Sequence, residues 1–187
     1  MDRPTSVMHD QRVAIIGAGV SGLGIGWRLA QAGCQVVIFD RGEAGRGASW
    51  AAAGMLAARA EAEPGEEALL SLNLQAQQIW PVFAKELEAA SGRTIGYRDE
   101  GTLIVAPTRD DAEQLRFTYE YQKSQGLDVH WLNAAEVRRR EPYLAPGLSG
   151  GVFSPGDHQV DNRELSLALK VAFLAAGGEL HEHTAVD

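Results

Sequence analysis

The sequence predicts an α/β protein in which a parallel βαβ unit opens the chain and an α+β region interrupts it. An apolar run over Val13–Ile16 enters a glycine-rich turn, and a second apolar run, Val36–Phe39, follows a helical stretch. Farther along, two longer stretches of helical periodicity lie between short apolar runs that are typical of antiparallel strands. A final helix and strand return to the pattern of the start.

The glycine turn has the G-x-G-x-x-G spacing of a Rossmann-like dinucleotide-binding unit. Gly17 permits the tight turn, Gly19 has no Cβ to keep a pyrophosphate off the backbone, and Gly22 lets the helix pack close to the sheet. The second strand ends on Asp40, which we expect to accept hydrogen bonds from both adenosine ribose hydroxyls and to disfavour NADP. A strand–helix turn that binds no ligand is disfavoured, because the strand, the helix and the acidic residue all match the dinucleotide-binding pattern.

The elements of the first half follow from periodicity and from terminal residues. Apolar runs predict strands at 12–16 and 35–39 around a helix at 20–32. Leucine, isoleucine and phenylalanine at helical spacing predict a helix over 66–91, which Gly92 ends and Pro81 should kink or divide. A strand follows at 101–106, where Pro107 ends it.

The second half alternates helices and strands in the same way. Residues 110–125 read as a helix that Gly126 ends, and 129–132 as a short strand. Asn133 and Glu136 form a capping-box pattern that begins a short helix. We further predict a strand at 151–153, a helix at 162–176 and a strand at 180–186.

Composition and charge exclude several classes of protein. The net charge is −8 and the hydrophobic content 45%, and the basic run Arg138–Arg140 fits a solvated helix face, so nucleic-acid binding is disfavoured. The apolar stretches are too short to span a membrane. Residues 1–11 are polar and do not resemble a secretory signal. The single cysteine, Cys34, fits a small buried filler, and a reducing cytoplasm fits all of these features.

A second motif, Gly45–Leu56, predicts which dinucleotide binds. It is dominated by Gly, Ala and Ser, so the backbone can run close along a bulky extended ligand, and Ser49 can donate to a phosphate. NAD-binding proteins usually place a helix here. A flexible linker is disfavoured because Trp50 and Met55 are too apolar for one. The motif therefore predicts FAD rather than NAD.

Together these residues resemble the D-amino-acid oxidase superfamily of FAD-dependent amine oxidases, and most closely its glycine-oxidase members of thiamin biosynthesis. The resemblance rests on four places: Gly17–Gly22 with Asp40, the segment Ser49–Leu56, Gly156–Asn162, and His183–Val186. It covers the whole chain, although that family is about twice as long. Asp40 departs from the glutamate frequent in the family, and either acid serves the ribose.

The resemblance implies a set of FAD contacts. Val20 and Ser21 lie at the pyrophosphate turn with Gly17, Gly19 and Gly22, and Ala48 and Ser49 lie at the phosphates. Asp40 and Arg41 lie at the ribose and adenine, and Val186 contacts the adenine through its backbone. Ala53, Gly54 and Met55 run along the isoalloxazine. Met55 also borders the small-substrate pocket in the family.

The implied chemistry is hydride transfer from the α-carbon of a small amine or amino acid to flavin N5. The imine then hydrolyses, and oxygen reoxidises the flavin to give hydrogen peroxide. No side-chain acid or base is required, so no catalytic residue is assigned within the chain. The arginine that pairs with the substrate carboxylate is expected beyond residue 187. The implied partners are the amine substrate and oxygen, and the full-length protein is expected to be a homo-oligomer.

The order of elements predicts two interleaved domains. Residues 1–65 and 151–187 are expected to form an incomplete Rossmann-like FAD-binding domain, and 66–150 the first part of a substrate domain. A cofactor domain of two or three strands would leave an unpaired edge, so we expect the chain to be the front part of a larger protein. The four histidines beyond residue 100 are expected to be ordinary strand or loop residues rather than metal ligands: His130, His158, His181 and His183.

Two alternatives remain open from the sequence alone. The first is a related enzyme, a sarcosine-type oxidase or D-amino-acid dehydrogenase, which the substrate-binding residues would distinguish. The second is a non-catalytic, truncated dinucleotide-binding module, which bound FAD without turnover would favour.

Overall fold

A computed structural model describes residues 11–186. The predicted polar, non-secretory amino terminus therefore lies, except for Gln11, outside the described residues. None of the helices in the described part combines the length and the hydrophobicity that a membrane crossing requires.

The described chain divides into two compact units that alternate along the sequence. The first comprises 11–54, Pro81–Tyr97 and 160–186, and the second comprises Met55–Trp80 and Arg98–Gln159. Residues 81–97 thus pack with the first unit, although the sequence predicts them within 66–150. Residues 55–65 and 151–159 pack with the second unit, although the sequence predicts them in the first domain. The assignment of the predicted domains to cofactor and substrate stays a prediction.

A three-stranded parallel sheet forms the centre of the first unit. Its strands are β1 (Arg12–Ile16), β2 (Gln35–Phe39) and β8 (Glu179–His181), in the order β1-β2-β8. Ile15 pairs with Ile38, and Ile38 in turn with Leu180. This confirms the predicted parallel βαβ start and places the last strand beside the second.

Two helices pack on each other and support this sheet: α1 (Val20–Gln31) and α6 (Asn162–Ala175). Gly26 lies where they meet, and a Cβ there would come within 2.8 Å of Ile38 Cδ1 and 3.1 Å of the Phe173 ring. Trp27 and Phe173 are fully buried. Close helix packing thus depends on the missing side chain at Gly26.

The last strand is shorter than predicted. The sequence analysis extended it over 180–186, but β8 ends at His181. His183 adopts a left-handed conformation with φ 55°, and its N–H donates to the Gly42 carbonyl at 3.0 Å. The chain therefore turns back over the loop after β2 instead of continuing along the sheet.

The second unit contains a three-stranded antiparallel sheet of β4 (Thr102–Ala106), β6 (Gly150–Ser154) and β5 (His130–Leu132), with β6 in the centre. Its helices are α4 (Arg109–Ser124) and α5 (Ala134–Arg140). Buried side chains from its loops, its sheet and the start of the long helix over Glu67–Ser91 form its core: Ala62, Leu70, Leu127, Val129 and Val152. The antiparallel strands predicted from the sequence are thus confirmed.

The helix termini follow local chemistry. α5 begins at the predicted capping box, in which the Asn133 side chain accepts from the Ala135 and Glu136 amides at 3.0 Å. α4 begins with a second capping box, between Thr108 and Asp111, that the sequence analysis missed. The predicted start at 110 therefore differs by one residue from the observed start at Arg109.

The long helix α3 (Glu67–Ser91) contains Pro81 and is not divided by it, so that part of the expectation was wrong. Proline removes one amide donor and crowds the preceding turn, but buried side chains hold the helix on both sides of it. Gln77 is buried before the proline, and Ala84 and Leu87 after it. Three short elements were also missed: α2 (Ala48–Ala51), and the antiparallel pair β3 (Met55–Leu56) and β7 (His158–Gln159).

Candidate functional site

The glycine turn follows β1 directly and requires two of its glycines. Gly17 has φ 102°, a conformation that other residues rarely adopt, and its N–H donates to the Phe39 carbonyl at 2.7 Å. A Cβ on Gly22 would lie 1.9 Å from the Gly17 carbonyl oxygen. The first and third glycines therefore let the start of α1 lie against the end of β1.

The N-terminus of α1 presents an anion-binding arrangement. Gly19 is the N-cap and contributes no side chain to cap the helix. Ser49, from α2, accepts instead from the Val20 amide at 3.0 Å, and a Cβ on Gly19 would lie 3.0 Å from the same Ser49 oxygen. The Ser49 hydroxyl keeps its own proton to donate, so amides, helix dipole and hydroxyl converge where a phosphate would bind.

Asp40 has a structural role that the sequence analysis missed. One carboxylate oxygen accepts from the Ala18 amide at 2.7 Å and the other from the Gly42 amide at 2.8 Å. The carboxylate thus ties the end of β2 to the glycine turn. Each carboxylate oxygen has two lone pairs, so both remain able to accept a ribose hydroxyl.

An open groove of about 430 Å³ lies at the carboxyl ends of β1 and β2, where open α/β sheets bind their ligands. It brings together predicted contacts from three parts of the chain. Its lining is Ile16, Gly17, Phe39, Asp40, Arg41, Thr184, Ala185 and Val186. The Thr184 amide donates to the Asp40 carbonyl at 2.7 Å, which fixes the 184–186 backbone beside the acid.

Glu182 anchors the loop between Asp40 and α2, and the sequence analysis gave it no role. Its carboxylate accepts from the Ala44 amide at 2.7 Å and from Lys170 Nζ at 2.8 and 2.9 Å. The hydrogen bonds from Lys170 and then from the Ala44 amide hold the pKa of Glu182 below its usual range. Because the bonded groups lie far apart in the chain, no local pattern marks them.

Two further contacts hold α2 and the residues after it. Asn162 Nδ2 donates to the Ser49 and Trp50 carbonyls at 2.6 and 3.1 Å. Gly54 has φ 76°, and a Cβ there would lie 2.0 Å from the Val160 carbonyl oxygen. The small residues of this motif therefore have definite places rather than the disorder of a linker. Ala48 and Ala53 are exposed.

Arginines flank the aromatic residue of this motif. The guanidinium carbons of Arg46 and Arg163 lie 3.7 and 4.5 Å from the centroid of the Trp50 ring. Contacts of this length are cation–π interactions. They keep two positive charges beside α2.

Met55, the last residue predicted along the isoalloxazine, begins the second unit and is 53% exposed. It lines an open pocket of about 230 Å³ in that unit. The other lining residues are Leu56, Ala57, Ala58, Glu61, Asn73, Ala76, Gln77 and Trp80.

The predicted contacts thus fall into five groups. Gly17, Asp40, Arg41 and Val186 share the groove, and Gly19, Val20, Ser21 and Ser49 surround the start of α1. Gly22 packs α1 against the turn. Ala48, Ala53 and Gly54 follow α2 through the end of the first unit, whereas Met55 belongs to the second.

The titratable side chains elsewhere lie mostly at the surface. His130 pairs with Asp128 at 3.0 Å and His181 with Glu179 at 2.7 Å, and Cys34 is buried. Within residues 11–186, no group of three or more His, Cys, Asp or Glu side chains is arranged to hold a metal ion.

Comparison with known proteins identifies the family. The model of the FAD-dependent oxidoreductase family, DAO, matches residues 12–187. The chain belongs to this family. The predicted family and its cofactor, FAD, are thereby confirmed.

The cofactor fits what the first unit presents. A Cβ on Gly19 would crowd the Ser49 hydroxyl at 3.0 Å, and the amides of α1 together with that hydroxyl suit a pyrophosphate. The groove beside Asp40 offers carboxylate and backbone acceptors to hydroxyl groups of the ligand.

Relatives in this family include glycine oxidases. The chain is 40% identical to glycine oxidase of Geobacillus kaustophilus, over 95% of this chain and 47% of the relative. It is 33% identical to the bifunctional protein ThiO/ThiG of Trichormus variabilis, over 94% of this chain and 26% of that one. The chain therefore spans about half the length of the glycine oxidase it matches.

Solved structures agree with the fold. The crystal structure of glycine oxidase from Geobacillus kaustophilus superposes with a TM-score of 0.89 at 40% identity, over 95% of this chain and 48% of that one. Glycine oxidase from Bacillus cereus gives a TM-score of 0.85 at 32% identity, over 94% and 47%. The predicted α/β fold is confirmed by both.

Proposed function

We propose that the protein is a FAD-dependent amine oxidase of the glycine-oxidase type. It would oxidise the C–N bond of glycine or another small amine to an imine, with oxygen as the acceptor and hydrogen peroxide as the second product. The hydrogen bond between the Val20 amide and Ser49 Oγ carries this proposal. It joins the glycine turn to the small-residue motif, the two features from which the sequence predicts FAD rather than NAD.

In this proposal each part of the first unit has a separate task in binding. The α1 amides and the Ser49 hydroxyl hold the pyrophosphate, and Asp40 accepts the ribose hydroxyls while it also orders the turn. Val186 contacts the adenine through its backbone in the groove. Ala53 and Gly54 let the backbone run along the isoalloxazine, because neither has a bulky side chain.

When bound, FAD supplies the two-electron acceptor, and no side chain of this chain is assigned to proton transfer. The residue that pairs with the substrate carboxylate is proposed to lie outside these 187 residues. This is consistent with relatives that are about twice as long. The chain would therefore supply most of the cofactor site and one border of the substrate pocket, at Met55.

A role in thiamine biosynthesis is part of the proposal. Relatives that carry the name ThiO support it, among them the bifunctional protein ThiO/ThiG of Trichormus variabilis and a putative thiamine biosynthesis oxidoreductase ThiO of Rhizobium etli. The second is 36% identical over 90% of this chain. Formation of an imine from glycine is the reaction we assign to that pathway.

Two measurements on the full-length protein test this function. After heat denaturation of the purified protein, the supernatant is expected to show the absorption and fluorescence of a released flavin. A peroxidase-coupled assay is expected to detect hydrogen peroxide when glycine or sarcosine is the substrate. A colourless protein that NAD but not FAD stabilises would refute the proposal. Turnover with an artificial electron acceptor and no peroxide would instead favour a dehydrogenase.

A further inference from the structure

The segment Leu56–Ala60 of the second unit begins with the last residue of β3 and has an ordered path with little regular structure. Only Leu56 belongs to a strand, and the residues from 58 onward form turns. Ala57 and Ala58 are nevertheless buried. An irregular segment with buried backbone needs partners for its N–H and C=O groups from elsewhere.

Asp157 supplies several of these partners from a fully buried position. One carboxylate oxygen accepts from the Arg59 amide at 3.0 Å and from Gln77 Nε2 at 3.1 Å. The other accepts from the Ala60 amide at 2.7 Å, and the Arg59 guanidinium lies 3.6 Å away. All four neighbouring groups are donors, so the site is matched to a carboxylate.

Two buried glutamines hold the same segment from its carbonyl side. Gln77 Nε2 donates to the Leu56 carbonyl at 3.0 Å, and Gln77 Oε1 accepts from the Arg59 guanidinium. Gln122 Nε2 donates to the Arg59 and Ala60 carbonyls at 2.9 and 3.3 Å. Arg59 also donates to the Gly156 carbonyl at 2.8 Å. Hydrogen bonds thus fix the segment at Leu56, Arg59 and Ala60.

The segment is also one wall of the pocket of about 230 Å³, since Leu56, Ala57 and Ala58 line it, and Gln77 lines it as well. Burying a carboxylate is costly unless it is well bonded, and apolar side chains would fill the same volume without that cost. Both oxygens of the Asp157 carboxylate are bonded, whereas Gln122 Oε1 has no hydrogen-bond partner among the described residues. A bonded polar group of this kind differs from apolar packing because it favours one geometry. The position of the pocket wall is therefore set by Asp157 and its partners.

We propose that Asp157 is a positioning residue that fixes this pocket wall and thereby limits the size of the amine that the enzyme oxidises. This inference rests on the proposed function, in which Met55 borders the substrate. Asp157 itself is 0% exposed, so it acts through Leu56–Ala60 and does not touch substrate. The class of substrate selected is a small amine with compact substituents on its nitrogen and its α-carbon, in preference to amines that carry an added methyl group.

The test compares two aspartate variants of the full-length flavoprotein. Asp157→Asn places an NH₂ group among donors, so at least one bond to the segment is lost and the wall loosens. Asp128→Asn is the control, because Asp128 belongs to the same unit and its side chain is 67% exposed. The readout is the ratio of kcat/KM for glycine to that for sarcosine, which is larger by one methyl group.

We expect Asp157→Asn to retain flavin and to shift this ratio by about tenfold towards sarcosine, the lower end of the discrimination that one methyl group gives in a pocket. Asp128→Asn should leave the ratio unchanged. If Asp157 only stabilised the fold, its substitution would reduce the fraction of active enzyme equally for both substrates. The ratio of the two kcat/KM values would then stay unchanged.

A second variant keeps the inference testable if Asp157→Asn does not fold. Gln122→Leu removes the two bonds to the Arg59 and Ala60 carbonyls, and Gln122 does not line the pocket. It should shift the ratio in the same direction. A wild-type ratio in every folded variant of this pair overturns the inference. A wild-type protein that binds no flavin or oxidises neither amine refutes the proposed function instead.

Discussion

At the scale of single residues, the proposed cofactor site depends on two positions with opposite properties. Gly19 contributes by having no side chain, because a Cβ at this position would lie 3.0 Å from Ser49 Oγ. Asp40 contributes a carboxylate whose two oxygens already bind the amides of Ala18 and Gly42. Substitutions at these two positions should therefore affect ligand binding and local order in different proportions.

Gly19→Val should abolish FAD binding and leave a folded apoprotein. The backbone at Gly19 is extended, with φ −78° and ψ −177°, so the backbone conformation suits valine. The Cβ of valine would lie 3.0 Å from Ser49 Oγ, and the branched side chain would occupy the proposed pyrophosphate position. Flavin content and circular dichroism measure the two effects. Gly24→Ala is the matched control, since a Cβ at that helical position meets nothing within 4 Å. Flavin retained in Gly19→Val would mean that the cofactor does not cross this turn.

Asp40→Ala should weaken FAD binding by about 1.5–3 kcal/mol, the contribution of hydrogen bonds to a charged group. This corresponds to a rise of roughly 10- to 150-fold in the dissociation constant. The same substitution leaves the Ala18 and Gly42 amides without their partner, so the apoprotein should also lose thermal stability. Titration calorimetry with FAD measures the first effect. An unchanged affinity would exclude the ribose assignment.

At the scale of secondary-structure elements, the loop after β2 is held by the residues that follow β8. Glu182 binds the Ala44 amide and Lys170, and the His183 amide binds the Gly42 carbonyl. Asp40, the proposed ribose ligand, thus begins a loop that residues from the other end of the chain fix at Gly42 and Ala44. The Glu182 carboxylate that binds the Ala44 amide is also ion-paired with Lys170, and the two side chains are 27% and 28% exposed.

The stability that Glu182 contributes should depend on pH. Lys170 and the Ala44 amide lower its pKa in the folded state below the ordinary 4.5. The contribution is therefore fully present above about pH 4.5 and is lost as the pH falls through the lowered pKa. Glu182→Gln should cost about 1–2 kcal/mol at pH 7, after allowance for partial exposure.

Urea unfolding of the full-length protein at pH 7 and at about pH 3 measures this dependence. The difference between Glu182→Gln and wild type should shrink at the lower pH. The exposed residue Glu113 provides the control, because Glu113→Gln should change little at either pH. An equal loss at both pH values would show that the charge of Glu182 is not what holds the loop.

The elements that the sequence predicted well are those whose signals are local. The turn glycines, the strands β1 and β2, and the Asn133 capping box each depend on residues that lie close together in the chain. The end of β8, the anchoring by Glu182 and the amide contacts of Asp40 depend on residues up to 138 positions apart. No periodicity encodes such contacts. Short pairings such as β3 with β7 escape for the same reason.

At the scale of the whole molecule, these 187 residues should not oxidise any amino acid on their own. They carry the proposed pyrophosphate and ribose contacts, but no group that clamps a substrate carboxylate is assigned among them. Without a clamp the α-carbon is not held against the flavin, and orientation accounts for roughly 7–11 kcal/mol of a barrier. A peroxidase-coupled assay with glycine on this chain and on the full-length protein checks the expectation. Peroxide from the 187-residue chain would place a working site within it.

The pairing of β2 with β8 also has a consequence for synthesis of the protein on the ribosome. The Asp40 amide donates to the His181 carbonyl at 2.9 Å, so the ribose acid gains this support only after about 140 further residues have been made. At roughly 5–20 residues per second, that interval lasts about 7–30 s. During this interval the glycine turn and α1 have been synthesised, but β8 and the 184–186 backbone that lines the groove have not. If Asp40 and this groove hold FAD as proposed, we expect the cofactor to bind late in synthesis, however early the glycine turn is translated.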